Sequence, residues 1–184
     1  MAAIKARRRQ RSWVGTAVER LAPACGIIPY GLIALALRLV MARVFFLSGQ
    51  EKMEGPRISV HLPFAGPDVS IVLPAEVKAS TLALFETQYA AMPIPPETAA
   101  TIFSYAEFVL PICLVLGFAT RFAALALLVE TLLLQIYVSP QVWWSSHVYW
   151  ICILLVLLSL GPGAISLDAL LRYLYRREEA VSGE

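Results

Sequence analysis

Residues 30–48 read YGLIALALRLVMARVFFLS, a run of apolar side chains broken by two arginines, Arg38 and Arg43. Nineteen such residues are about what a helix needs to cross roughly 30 Å of hydrocarbon. Three further runs follow, at residues 98–117, 122–138 and 146–160. The last two are near the short limit for a span. Inside a bilayer every backbone N–H and C=O must be satisfied within the segment, so four helices are expected. The composition agrees: of 184 residues 59% are hydrophobic and 15% charged, and the mean hydropathy is +0.70. A water-soluble domain carries about a quarter charged residues. Disordered, collagenous and disulfide-framework classes are excluded on the same grounds.

The chain is expected to divide into a basic tail (residues 1–29), a four-helix bundle (30–163) with a long connection at 49–97, and an amphipathic tail (164–184). A cleaved leader is a poor fit, because about 29 residues precede the first run, two arginines interrupt it and no small-x-small site follows. Lys5, Arg7, Arg8, Arg9, Arg11 and Arg20, with Arg121 and then Arg172, Arg176 and Arg177, fall on one side of the bilayer. Only Lys52, Arg57 and Lys78 fall on the other. The positive-inside rule then puts both termini in the cytoplasm. Trp143, Trp144, Tyr149 and Trp150 crowd the outer end of the last two spans, as an interfacial aromatic belt would. The basic tail, with Trp13, Val14 and Leu21, suits an interfacial segment on anionic lipid.

The connection at 49–97 is too long for a turn. Ile58, Val60 and Leu62, then Val69, Ile71 and Leu73, alternate with polar or small residues around Phe64-Ala65-Gly66-Pro67-Asp68. That pattern predicts a short β-hairpin bounded by Pro63 and Pro74. Leu82, Phe85 and Tyr89 then mark a helix ending near Ala90, before the proline-rich 93–96. Two readings stay open for this region, a packed cap on the bundle or a lid and docking surface over an outward-facing site. After the fourth run, Gly161-Pro162-Gly163 suits a helix stop. Ser166 and Asp168 suit the capping of a short helix with Leu170, Leu171 and Leu174 on its apolar face.

Charges within the spans carry the functional information. An ionised side chain at the bilayer centre costs at least about 2.5–3.5 kcal/mol. Arg38, Glu107 and Glu130 lie eight to ten residues from the inner ends of their runs, so at 1.5 Å per residue they share a layer about 12–15 Å deep. A buried ion network is expected there, serving either to lock the helices or to form a polar pocket or proton path. Arg38 and Arg43 are five residues apart, about 140° around the helix. One of them should therefore point away, toward Gln50, Gln135 or His147.

Other chemistries find little support. His61 and His147 are the two histidines, and no bis-histidine haem site can form within the bundle. No phosphate loop, dinucleotide fingerprint, zinc signature or nucleophile elbow is present. Cys25, Cys113 and Cys152 have neither redox nor metal spacing and read as small buried hydrophobes. No metal site is expected, and basic residues gathered at the chain ends argue against nucleic-acid binding.

Several patterns, in order, resemble the DoxX (DoxD-like) family of small four-helix membrane proteins. They are Arg43-x5-Gly49-x2-Lys52, Leu84-Phe85 through Tyr89, and Pro93 to Pro96. Next come Ala106-Glu107-x3-Pro111-x5-Gly117 and Thr120-Arg121-x-Ala123-Ala124. The last two are Gln135-Ile136-x-Val138-x-Pro140-x2-Trp143-x3-His147-x2-Trp150 and Gly161-Pro162-Gly163-x2-Ser166-Leu167-Asp168. The resemblance implies an all-α membrane protein of the bacterial inner membrane, associated with quinone-linked redox systems such as thiosulfate:quinone oxidoreductases. It implies quinone as a possible cofactor, a partner oxidoreductase subunit as electron donor, and Arg43, Lys52, Glu107, Arg121 and His147 as the motif-matching polar set. Glu130 departs from the family pattern. With Arg38 and Gln135 these residues make the expected buried polar network and candidate quinone site, with no residue singled out as catalytic. Two other functions stay open: a scaffold recruiting a periplasmic partner, and a small proton-coupled transporter that would use the glutamates.

Overall fold

The structure, a computed structural model, describes residues 28–60 and 69–182. The basic tail, His61, Cys25 and the expected hairpin turn at 64–68 lie outside the described residues. Helix α1 (Tyr30–Lys52) opens after Pro29, with Leu32 N–H donating to the Pro29 carbonyl at 3.0 Å. Helix α2 (Ala79–Gln88) lies in the long connection. Helix α3 (Pro96–Leu116) has proline at its first position, where a missing N–H costs nothing. Helix α4 (Thr120–Tyr137) follows after a tight turn. The fourth span is composite: a 3₁₀ turn (Pro140–Val142), a π turn (Trp143–His147) and α5 (Val148–Leu160). Helix α6 (Leu167–Ser182) closes the described chain.

Four segments are long and apolar enough to cross a membrane: Tyr30–Lys52, Pro96–Leu116, Thr120–Tyr137 and Pro140–Leu160. The fourth starts six residues before the run that hydropathy marks, because the polar Ser145-Ser146 pair belongs to the widened π turn rather than to a loop. The helices form a ring, with α1 against α3 and α5, and α4 against α3 and α5. Met41, Phe45, Leu114, Leu127, Leu154 and Leu157 fill its centre. Large apolar side chains cover the outside, among them Phe122, Ile136 and Leu160. Apolar side chains on both the inner and the outer side of each helix are what a lipid solvent allows. Cys152 is exposed on this outer surface and Cys113 is half-buried, so neither is the enclosed core residue that the sequence suggested. Inside a bilayer an apolar environment does not require protein cover.

The loop face, which carries the long connection, is roofed by a small cap. Strand β2 (Arg57–Val60) pairs antiparallel with β3 (Val69–Val72), Arg57 opposite Val72 and Val60 opposite Val69. A second ladder, absent from the sequence reading, extends the ribbon toward the bundle: β1 (Met53–Glu54) pairs with β4 (Glu76–Val77). Pro56 and Pro74 interrupt the ribbon between the two ladders, since neither has an N–H. Helix α2 packs Phe85 on Tyr89 and against Phe103 of α3, with ring centroids 4.1 and 5.9 Å apart. Met92, Ala99 and Ala100 complete this second core. Gln50, expected near an arginine, instead clamps the cap: its Nε2 donates to the Val72 carbonyl at 3.0 Å and its Oε1 accepts from Val72 N–H.

The terminal face is closed by backbone-satisfying contacts. Gly117 takes φ 68°, and the N–H groups of Gly117 and Phe118 return to Leu114 and Cys113 carbonyls, a Schellman stop. Ser166 caps α6, its Oγ accepting from Ala169 N–H at 3.1 Å. Asp168 does not cap its own helix, as the sequence suggested. Its carboxylate accepts from Ala119 N–H at 2.8 Å and Thr120 N–H at 3.0 Å, closing the start of α4 instead. Its own N–H donates to the Gly117 carbonyl at 2.9 Å. The α3–α4 turn reaches Asp168 before the first turn of α6 does, and two N–H donors at a helix start attract a carboxylate strongly. Replacing Asp168 by Ala should lower the unfolding free energy in detergent by about 1–2 kcal/mol, with Asn restoring part of it. Denaturant titrations followed by circular dichroism would check this, and an unchanged midpoint for Asp168→Ala would contradict it.

Candidate functional site

Gly49 brings α1 and α3 together. A Cβ there would lie 3.0 Å from the Glu107 carbonyl carbon and oxygen, so only a bare backbone fits without a shift. The Glu107 carbonyl is special for a second reason. Its ordinary helical donor would be residue 111, which is proline and has no N–H.

One turn beyond Gly49, Lys52 ends α1. Its own carbonyl is held by the cap, accepting from Lys78 N–H at 3.0 Å and Thr81 Oγ1 at 3.1 Å. Its Nζ forms an ion pair with Glu107 Oε1. The Glu107 side chain is 2% exposed and that of Lys52 12%, so the bridge is nearly shut away from solvent. Glu107 Oε2 and both carboxyl oxygens of Glu130 are buried with no hydrogen-bond partner among the described residues. The Glu130 carboxyl lies beside that of Glu107. One cation thus serves two neighbouring carboxyls.

Next to the bridge is a cavity of about 210 Å³ whose lining includes Ser48, Lys52, Tyr89, Glu107, His147 and Trp150. His147 reaches it because the π turn rotates the ring inward; it is 5% exposed. Such widened turns recur at functional sites. The Gln135 Nε2 donates to the Pro140 carbonyl at 3.0 Å, which orients the amide so that Oε1 faces His147 Nδ1 at 2.7 Å. Nδ1 therefore carries the proton of the neutral ring, and Nε2 keeps its lone pair. Trp150 stacks at a tilt on His147, ring centroids 5.2 Å apart, and on Phe45 at 5.7 Å. Burial, and then the nearby Glu107 and Glu130, push the Tyr89 phenol above its usual range. It stays neutral and keeps a proton to donate.

The single charged layer expected from the sequence does not form. Lys52, Glu107, Glu130, Gln135 and His147 come together, while Arg38, Arg43 and Arg121 lie elsewhere. Arg38 is fully buried, but its Nη1 donates to the Leu114 and Val115 carbonyls at 3.2 and 3.4 Å, and its Nη2 to the Ile165 carbonyl. It closes the C-terminal end of α3. Arg43 is exposed on the outside of the bundle. Arg121 is exposed at the terminal face, where Nη2 donates to the Ser159 carbonyl at 3.1 Å.

The cause is helix register, reinforced by helix direction. Side chains lean toward the N-terminus of their own helix. The α1 and α3 helices run antiparallel, so Arg38 leans to the terminal face while Glu107 leans to the loop face, where Lys52 leans down to meet it. The Cα atoms are not level as the run ends implied: Gly49 packs on the Glu107 backbone, and Arg38, eleven residues earlier in α1, lies about 16 Å along the axis from it. Tyr89 was readable in sequence only as a packing residue, since nothing local shows that α2 folds back over the bundle. Among the described residues, no three His, Cys, Asp or Glu side chains gather as metal ligands.

Fold and site together define a polytopic membrane protein, a four-helix bundle with a half-polar cavity beneath a cap. The family model for DoxX matches residues 33–140, more than half of the chain, and the protein belongs to the DoxX family. No curated protein and no solved structure matches it.

In an alkaline titration followed by phenolate absorbance, the signal lost in Tyr89→Phe should come from the part of the curve above the ordinary tyrosine range of about 10. A loss confined to the ordinary range would place Tyr89 in solvent.

Proposed function

We propose that this DoxX-family membrane protein binds a quinone head group in the cavity beside the Lys52–Glu107 bridge, as an accessory subunit of a membrane redox system. In this reading it sits in the bacterial plasma membrane with both termini cytoplasmic. The observation that carries the proposal is the convergence of Lys52, Tyr89, Glu107 and His147 on one cavity whose wall also includes Phe45, Ser48, Leu134 and Trp150.

The residues suit such a ligand. At about 210 Å³ the cavity is smaller than the ~300–1,000 Å³ of drug-sized pockets, so it takes one ring with any isoprenoid tail outside among acyl chains. A bound quinone would supply a two-electron, two-proton acceptor, its electrons coming from a partner oxidoreductase. Lys52 and Tyr89 offer donors for ring carbonyls. The indole of Trp150 offers a flat stacking wall. Glu107 and the His147 imidazole can hold or pass protons at the cavity wall, with the neighbouring Glu130 carboxyl behind Glu107.

A second reading, a scaffold that recruits a partner through its cap, is favoured by Ile58 and Leu73. These side chains are 49% and 41% exposed on the hairpin and at the end of β3. The two are separable, because Ile58→Ser should abolish co-purification of such a partner and leave quinone binding intact.

Titrating the purified protein with short-tailed ubiquinone and menaquinone analogues, read by tryptophan quenching, tests the main reading. Lys52→Met should weaken binding by about tenfold or more, as expected for a lost charge-assisted hydrogen bond to a ring carbonyl, and Glu107→Gln should weaken it by releasing the Lys52 ammonium from its position. Arg121→Gln, remote from the cavity, should bind as the wild type does. If neither analogue binds, or if Glu107→Gln binds equally well, the quinone reading fails.

A further inference from the structure

Arg43 lies thirteen positions after Tyr30 and nine before Lys52, so its Cα is roughly 20 Å and 14 Å from the two ends of α1. Along α1 it is mid-helix, and its groove extends to Leu116, the last residue of α3. The side chain is exposed, and among the described residues it has no hydrogen-bond or ion-pair partner. It lies in a groove of about 360 Å³ between α1 and α3, walled by Leu39, Phe46, Pro111, Ile112, Val115 and Leu116. Leu39, Ile112, Val115 and Leu116 are each 40–51% exposed. The groove thus faces acyl chains. A guanidinium in that position needs a negative partner, because charged groups inside a membrane are tolerated when they pair or reach water.

The chain itself supplies none. Glu107 is engaged by Lys52, and Glu130 is buried on the inner side of α4. A second copy supplies none either: among the described residues the remaining carboxylates lie at the span ends or beyond them, and two copies of Arg43 brought together would repel.

From this charge complementarity we infer that the α1–α3 groove docks a transmembrane helix of another chain, with an Asp or Glu near its midpoint paired to Arg43. The guanidinium matches a carboxylate bidentately, which fixes the depth of the incoming helix as well as its identity. The apolar walls accept the rest of its surface. The inference does not depend on quinone binding, since the groove lies outside the bundle and the cavity inside it.

A synthetic leucine-alanine helix of membrane-spanning length with one central Glu serves as probe, and the same helix with Gln as control. Each carries an acceptor dye and is reconstituted in phosphatidylcholine vesicles with the full-length protein bearing an N-terminal donor. Energy transfer should show the Glu probe binding about tenfold more tightly than the Gln probe. Arg43→Gln should erase that preference, and Arg43→Lys should keep part of it. Because Arg43 supports no other described side chain, the variants should keep the wild-type melting curve in detergent. Equal binding of the two probes, or a Glu preference surviving in Arg43→Gln, would overturn the inference. So would Arg43-dependent energy transfer between labelled copies of the protein in the absence of probe, since a second copy would then fill the groove.

Discussion

The ion pair between Lys52 and Glu107 organises the loop-facing half of the bundle. Neither charge is tolerable alone at that depth, and removing one partner of a buried pair leaves the other uncompensated at a cost of about 3–5 kcal/mol. The pair requires α1 and α3 to touch, and they touch because Gly49 has no side chain to hold Glu107 away. It also requires Lys52 to be held at the end of its helix, which the cap does through Lys78 and Thr81. Cap, helix contact and cavity are therefore one arrangement. The second carboxyl, Glu130, makes it a site rather than a staple. A locked pair would need two charges, whereas here Glu107 Oε2 and both Glu130 oxygens remain without a hydrogen-bond partner among the described residues.

The opposite end of the bundle uses charge for a different purpose. Arg38 and Asp168 make no direct ion pair; each satisfies backbone groups at a helix end. Arg38 collects carbonyls where α3 stops, and Asp168 collects N–H groups where α4 begins. A Cβ at Gly117 would lie 2.3 Å from Arg38 Nη1, so the glycine permits both the left-handed turn and the approach of the guanidinium. Helix termini in a membrane cannot rely on water for their four orphan groups. Charges at this end serve the architecture, and those at the loop face form the candidate site.

Membrane class, helix number, the cap with its hairpin and helix, and the family were all legible in the residues. Long apolar runs admit no other spanning structure, and turn and proline signals punctuate the connection. Individual partners were less legible. Asp168 reads locally as a cap for its own helix and Gln50 as an arginine partner. Both find backbone groups of segments distant in sequence. The π turn at Trp143–His147 left no clear mark either, because a Ser-Ser pair after two tryptophans suits a loop equally well.

By itself, the sequence determined that four apolar helices must cross a bilayer and that the charges of α1, α3 and α4 must be compensated. That follows from lipid offering no hydrogen bonds and little solvation for charge. Which charges compensate which was decided by tertiary structure. The register of α1 against α3 sets Gly49 on the Glu107 backbone, so Lys52, one turn on, leans back to the carboxylate, while Arg38 is about 16 Å away along the helix, among the carbonyls that end α3.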